Sequence, residues 1–454
     1  MRDMRRAGFR QYLGLTALIG FGFFTMGLMD PLYDTYLPLF LRRYVASNAL
    51  VGGIMTLDNI LQLLLIPLVS IWSDRTRTSI GRRMPFIVVM LPISALLFSL
   101  IPPAAGFSFA ALVGLLFVFN IFKTSVRGPV VALMPDTIPG EYRSEANGVI
   151  NMMGGFGLIV STLLLTRLIG ITGLPEGFPV HGLPFILASA CILIAVLILF
   201  LFVHEKIPED EPNSEKVSVF AAVRQVFTAG RQQGDGAARG DASIPLILVS
   251  LFLWFTAYEG VKPFLGLYMV EVLGVSEGNA ALAQGVAGIS GVLMAVPAGY
   301  FAHKLGRRRF IRISLALLSI IMVLIPGAGV FCSRLGLGET AVLPVFLLLM
   351  FLYGAVWIGV VVNSFPMLWQ MASFGTIGVF TGLYYTFSQS AAVLAPPVTG
   401  LIIDLTGHAG IFIFGAVCMI AACFTMGGVQ SGEPQAGGPV AAAASNHTSN
   451  TGPS

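Results

Sequence analysis

Residues 81–103 read GRRMPFIVVMLPISALLFSLIPP, and residues 306–331 read GRRRFIRISLALLSIIMVLIPGAGVF. Each is a glycine and a basic turn followed by a long apolar run. A hydrocarbon layer of about 30 Å needs roughly 20 helical residues to cross it, and both runs meet that length. The two turns stand 225 residues apart in a chain of 454, about half its length. Two unrelated basic anchors would also give such a pair. Their equivalent position, after the second apolar run of each half, instead favours a duplicated six-helix unit.

Working outward from these turns, further apolar runs of spanning length lie near 11–40, 49–72, 84–103, 108–134, 146–170 and 182–203. After one polar break they resume near 244–272, 279–303, 310–331, 341–369, 377–402 and 408–428. The ten-residue alternation of membrane strands is absent, so helices are left as the way to satisfy the backbone in lipid. Composition agrees. The chain is 56% hydrophobic and 11% charged, whereas a soluble domain carries about a quarter charged residues. The fold class is therefore an all-α integral membrane protein of about twelve spans in two similar halves. The halves cover 1–203 and 244–428, with a polar cytoplasmic linker at 204–243 and a disordered cytoplasmic tail at 429–454 rich in Gly, Ala, Ser and Pro. One short amphipathic stretch is expected in the linker, over 217–227. The first apolar run follows Arg2, Arg5, Arg6 and Arg10 but has no small-residue cleavage site, so it reads as an uncleaved first helix.

Lys and Arg placement sets the orientation. With odd spans running outward, the cytoplasmic segments hold nineteen of these residues and the external loops four: Arg42, Arg43, Arg167 and Arg334. Both termini then lie inside, and the net charge of +4 reflects placement rather than an acidic partner. The sequon Asn446-His447-Thr448 falls on the wrong side for glycosylation. Cys191, Cys332, Cys418 and Cys423 show no metal or redox spacing and read as small apolar fillers.

Ser73-Asp74-Arg75, a spacer from Thr76 to Ile80, Gly81-Arg82-Arg83 and Pro85-Phe86-Ile87 together resemble the signature loop of the glycoside–pentoside–hexuronide cation symporters of the major facilitator superfamily. The sucrose/maltose-type branch, with its longer spacer, is the most similar. Gly128-Pro129, Ala132-Leu133, Asp136, Arg143 and Ala146-Asn147 form a second match. A third joins Asn363, Ser364 and Pro366 to Gly382-Leu383-Tyr384-Tyr385. The resemblance implies a major-facilitator fold and alternating access. It also implies that Asp74, Arg75, Gly81, Arg82, Arg83, Asp136 and Arg143 form a cytoplasmic gate whose salt bridges close the inner side and break as the halves rock. Topology-setting charge alone is the plain alternative. The melibiose-type branch places paired acids in its second span for sodium. Here that span has only Asp58, so the proton is the expected coupling ion in place of sodium.

Charges within a bilayer cost several kcal/mol and normally line a polar path. The candidates are Asp30, Asp34, Asp58, Lys123, Arg127, Glu259 and Lys262. Asp30 and Asp34 are i,i+4 and share a helix face, and two close carboxylates do not both ionise cheaply. Asp30, Asp34, Asp58 and Glu259 are thus the candidates for proton coupling. Lys123 and Arg127, also i,i+4, and Lys262 suit a hydroxylated or anionic substrate. Lys262 has a second option, pairing with Glu259 three residues away. A permanent network of salt bridges holding helices together is the structural alternative for Asp30, Lys123, Arg127, Glu259 and Lys262, and an outer-mouth position facing water is the alternative for Asp34. Asn363, Tyr385 and Gln389 supply the donors and acceptors that sugar hydroxyls need. Trp254, Trp357 and Trp369 offer faces for a sugar ring, though packing or an interfacial belt explains each of them better.

These residues predict a secondary active transporter, proton-coupled, for a sugar or glycoside. An exporter of drugs or other amphiphiles in the same fold is the alternative. No G-x-x-x-x-G-K and no H-E-x-x-H is present, so neither an ATP-driven pump nor an enzyme is expected. The expected partners are a small-molecule substrate and the lipid bilayer, with no cofactor, no metal and no nucleic acid. The expected working form is a monomer in the cell membrane.

Overall fold

The computed structural model describes residues 2–139, 142–170, 179–205, 243–335, 341–371 and 377–430. Most of the linker, including 217–227, and nearly all of the tail with its sequon lie outside the described residues. Among the described residues the protein is almost wholly helical, with one isolated bridge between Thr78 and Gly81.

Among the described residues eleven helices are long and apolar enough to cross a membrane, and a bent pair counted as one span brings the number to twelve. In the first half these are α1 (Phe9–Arg42), α2 (Asn48–Arg75), α3 (Met84–Ser99 with Ile101–Phe107), α4 (Phe109–Thr137), α5 (Ala146–Leu168) and α6 (Gly182–Phe202). In the second they are α7 (Ser243–Glu271), α8 (Glu277–Leu305), α9 (Arg307–Ala328), α10 (Val342–Leu368), α11 (Gly382–Thr406) and α12 (Gly410–Gly427). The continuous third span expected at 84–103 is instead bent by 41° at Leu100. Pro102 and Pro103 explain the break. Proline has no N–H to donate, so it fits the first turn of a new helix but not the middle of an old one.

Packing repeats between the halves. In the first, α1 packs on α5 and α6, α4 packs on α2 and α3, and α3 packs on α6. Adding six to each number gives the main packings of the second half: α7 on α11 and α12, α10 on α8 and α9, and α9 on α12. This correspondence is what a duplicated six-helix unit predicts. Both basic turns also begin at a glycine with positive φ, +113° at Gly81 and +84° at Gly306. Gly306 ends α8, and α9 starts at once at Arg307. Glycines bring backbones together within a half. A Cβ on Gly27 of α1 would collide with the Gly154 carbonyl of α5, and one on Gly157 would collide with the Phe24 carbonyl.

The halves meet through α2 on α11, its counterpart α8 on α5, and α1 on α7. We call the side of Arg82 and Arg307 inner, following the charge bias. The cross-half hydrogen bonds and ion pairs among the described residues run from the outer rim down to mid-depth. They include Tyr36 Oη donating to the Glu277 carbonyl at 2.9 Å, Thr56 Oγ1 to the Val393 carbonyl at 3.0 Å, and Asn59 Nδ2 to the Ala392 carbonyl at 3.1 Å. The protein is thus closed on its outer side.

Candidate functional site

α1, α2 and α4 bring three acids and two bases to mid-depth. Lys123 Nζ of α4 sits 2.8 Å from Asp30 Oδ1 of α1 and 3.9 Å from Asp58 Oδ2 of α2. Its ammonium also lies over the Tyr33 ring, 4.4 Å from the centroid. Asn120 Nδ2 donates to Tyr33 Oη at 2.9 Å, which fixes that ring. Arg127, one turn below Lys123, is half-buried. It stands 3.9 Å from Asp30 Oδ2 and donates to Gln62 Oε1 at 3.4 Å. Among the described residues the guanidinium, with five N–H groups, therefore keeps donors free.

The second group straddles the halves. Lys262 Nζ of α7 lies 2.8 Å from Asp34 Oδ2 of α1. The option of pairing Lys262 with Glu259 is not taken, because the 3-10 turn Lys262–Phe264 carries the ammonium to α1. Glu259 has no ion-pair partner within 4.0 Å among the described residues. Nearby, Thr35 Oγ1 donates to Gln284 Oε1 of α8 at 3.2 Å. Asp34 is buried and bridges the halves, so it is not a residue of an open outer mouth.

Beside Glu259 stands an aromatic group from α7, α10 and α11. The rings of Tyr258 and Trp357 stack with centroids 4.4 Å apart and planes 3° apart. Trp254, one turn from Tyr258, is fully buried. Its Nε1, Tyr353 Oη and Gln389 Oε1 are buried without a hydrogen-bond partner among the described residues. One face of Trp357 is thus already covered by Tyr258. Asn363 is buried, and its Nδ2 donates to the Gly359 carbonyl of its own helix at 2.8 Å, so it reaches a ligand only by leaving that bond. Tyr385 is exposed and meets Phe365 edge-on. The Trp369 side chain lies outside the described residues.

At the inner end of the first half a second polar network forms. Asp136 of α4 accepts from Arg82 Nε at 2.9 Å, Arg82 Nη2 at 2.6 Å and Arg83 Nε at 2.8 Å. Arg83 also bonds Asp74 and Ser73. The hydrogen bonds that Arg82 donates to Asp136 hold the pKa of its guanidinium above the ordinary value. Glu205, just past α6, accepts from the backbone N–H of Arg83 at 2.8 Å and lies 3.7 Å from Arg82 Nε. Gly81 must be glycine on two counts: its φ is positive, and a Cβ would strike the Glu205 carboxylate. Arg143 ties down the end of α4, donating to the carbonyls of Ile138 at 3.3 Å and Pro135 at 2.6 Å. Arg75 is exposed. A cavity of about 550 Å³ lies alongside, lined by Tyr12, Arg82, Asp136, Arg143 and His204 among others. Among the described residues the ion-pair partners of Arg82 and Arg83 belong to the first half, so in this conformation the network ties α2, α3, α4 and the end of α6 together.

Sequence reasoning missed Gln62, Tyr33, Asn120, Tyr258 and Glu205. Gln62 and Asn120 carried a signal, being polar residues inside apolar runs. Glu205 carried none, standing among other linker charges.

A family model described as Major Facilitator Superfamily matches residues 19–396. Among solved structures, the nucleoside transporter NupG is similar, with a TM-score of 0.67 at 13% identity over 92% of this chain and 99% of that one. A bacterial homologue of the iron transporter ferroportin, in an inward-facing state, gives 0.66 at 16% identity over 92% and 98%. The fucose:proton symporter FucP of E. coli gives 0.57 at 15% identity over 92% and 99%. At such identities the likeness speaks for the fold alone.

Proposed function

The chain belongs to the major facilitator superfamily, and from that premise we propose that it is a proton-coupled symporter of a hydroxylated solute of sugar or glycoside type. The observation that carries this reading is the mid-depth group of four acids and three bases, in which Glu259 has no ion-pair partner among the described residues. One acid in excess is a place for one proton. Asp34 adds the link to motion. It holds Lys262 across the halves, so a proton arriving on Asp34 releases Lys262 and loosens the closed side. Arg127, Tyr353 Oη, Trp254 Nε1 and Gln389 Oε1 offer donors and an acceptor suited to several hydroxyls at once. An unsatisfied buried polar group costs about 1–3 kcal/mol, which a hydroxylated ligand would return. On this reading the protein works as a monomer in the cell membrane with both termini cytoplasmic. The similar fold of FucP, named as a fucose:proton symporter, supports this reading.

The aromatic group of Phe255, Tyr258, Trp357, Phe365 and Tyr384 favours a second reading, export of an amphiphile. Uptake of radiolabelled sucrose and maltose into proteoliposomes under an imposed pH gradient, with and without a protonophore, tests the first. Gradient-driven, protonophore-sensitive uptake is the expected result. Failure to take up these or other sugars and glycosides, by a correctly inserted protein, overturns it in favour of the second.

A further inference from the structure

The outer ends of α2 and α11 meet in an arrangement that the sequence reading did not single out. α2 begins at Asn48, and the first N–H groups of a helix have no partner within it. Here they find one in the other half of the molecule. Asp404, near the end of α11, accepts from the backbone N–H of Asn48 at 2.8 Å and of Ala49 at 3.0 Å. It also accepts from Asn48 Nδ2 at 2.8 Å and Ser47 Oγ at 2.8 Å. One carboxylate thus takes four hydrogen bonds, all from the opposite half, at the positive end of a helix dipole. The backbones below are pressed together by reciprocal glycines. A Cβ on Gly400 of α11 would strike the Asn48 carbonyl, and one on Gly52 of α2 would strike the Pro396 carbonyl.

We propose that Asp404 is the outer latch of the transport cycle, a helix cap supplied in trans that holds the outer side shut and must let go before that side can open. Opening separates α2 from α11, which strands four donors and the carboxylate at once. Hydrogen bonds to a charged acceptor are stronger than neutral ones, so the closed state gains most from this contact. The pseudo-symmetric seam, α5 on α8, is latched by different chemistry. There Glu277 at the start of α8 meets His181 at 2.5 Å and Arg43 at 3.9 Å, both from the first half. Arg42 and Glu271, 3.5 Å apart, add an exposed pair between the seams. Of these contacts, only the Asp404 cap combines four short hydrogen bonds on one side chain. The latch is independent of which solute is carried, and its test uses no solute.

The test uses the full chain in nanodiscs, with Cys191, Cys332, Cys418 and Cys423 replaced by serine and one cysteine introduced by Thr56→Cys. Thr56 is buried in the α2–α11 seam about two turns below the latch. The readout is its rate of reaction with a charged maleimide. Asp404→Ala is expected to raise that rate roughly tenfold or more, the shift that losing charge-assisted hydrogen bonds of this kind would make. Asp404→Asn, which keeps one acceptor oxygen, is expected to give a smaller rise. It also serves where the alanine variant does not fold. A parallel measurement separates gating from local fraying: the distance between spin labels at Arg75 and Leu305, on the inner ends of the two halves, should shorten as the outer side opens. Unchanged labelling in a folded variant overturns the proposal, as does faster labelling with an unchanged inner distance.

Discussion

Lys123 has the most to lose from substitution. It is buried, it is the nearest cation to both Asp30 and Asp58, and its charge is further steadied by the Tyr33 ring. Among the described residues, Lys123→Met leaves Asp58 with no cation within 4.0 Å and Asp30 with only the more distant Arg127. Breaking a buried pair by removing one partner costs about 3–5 kcal/mol. The variant should melt well below the parent in detergent, and adding Asp58→Asn should recover part of the loss. Equal melting of parent and Lys123→Met would mean the network is not holding these helices. Asp30→Asn is expected to abolish proton-driven accumulation while sparing membrane insertion, because an amide keeps the shape but carries no proton in exchange. Full accumulation in that variant removes Asp30 from the coupling role. At this scale the sequence announced which residues matter but not whom they touch. A charge in an apolar run is costly wherever it points, so all seven mid-depth groups stood out. Their pairing depends on how separate helices are placed, and that hid the Lys262–Asp34 bridge and left the three-residue spacing to Glu259 as a decoy. Glu205 was hidden for the opposite reason, since a charge in a charged segment costs nothing notable.

Helices were the most legible level, because hydrocarbon thickness imposes a length that the eye can count. The exceptions are places where a helix changes its hydrogen-bonding pattern without leaving the membrane. α3 bends at Leu100, α5 passes through a π turn at Val160–Leu164 and a 3-10 turn at Leu165–Leu168, and α7 tightens at Lys262–Phe264. Apolar composition is the same across such a change, so it leaves little trace except a proline. Close packing between elements left little trace in the sequence, and the structure shows which glycines matter. Gly27 of α1 and Gly157 of α5 face opposing carbonyls, whereas Gly14 has open space where its Cβ would stand. Gly27→Ala must push α1 from α5, and overpacking of this kind costs about 1–3 kcal/mol. Gly14→Ala should cost nothing and gain slightly in helix propensity. Thermal unfolding of the two variants side by side checks this. A Gly27→Ala protein as stable as Gly14→Ala would show that the two backbones are not held at contact distance.

Two halves were legible because a repeated basic turn survives where packing details do not, and the matched helix pairs bear out the duplication. Which way the halves lean was not legible at all. The same sequence must populate at least two arrangements, so no residue pattern can belong to only one. The outer seams set glycines at contact distance: Gly400 against the Asn48 carbonyl where α11 meets α2, and Gly285 against the Thr162 hydroxyl where α8 meets α5. These contacts exist only while the outer side is shut. A bulky residue at either glycine has nowhere to go in that arrangement, but has free space once the halves rock apart. Gly400→Leu and Gly285→Leu should therefore act alike, although they lie on opposite seams and touch different helices. Each should wedge the outer side open and, because the halves move as bodies, narrow the inner side. Spin labels at Phe107 and Leu335, both exposed at the outer ends of α3 and the helix that α9 begins, should move apart. The inner pair at Arg75 and Leu305 should move together. Local repacking would change one distance and leave the other. Reciprocal shifts in both variants follow only if the two six-helix units turn against each other about the mid-depth charge cluster.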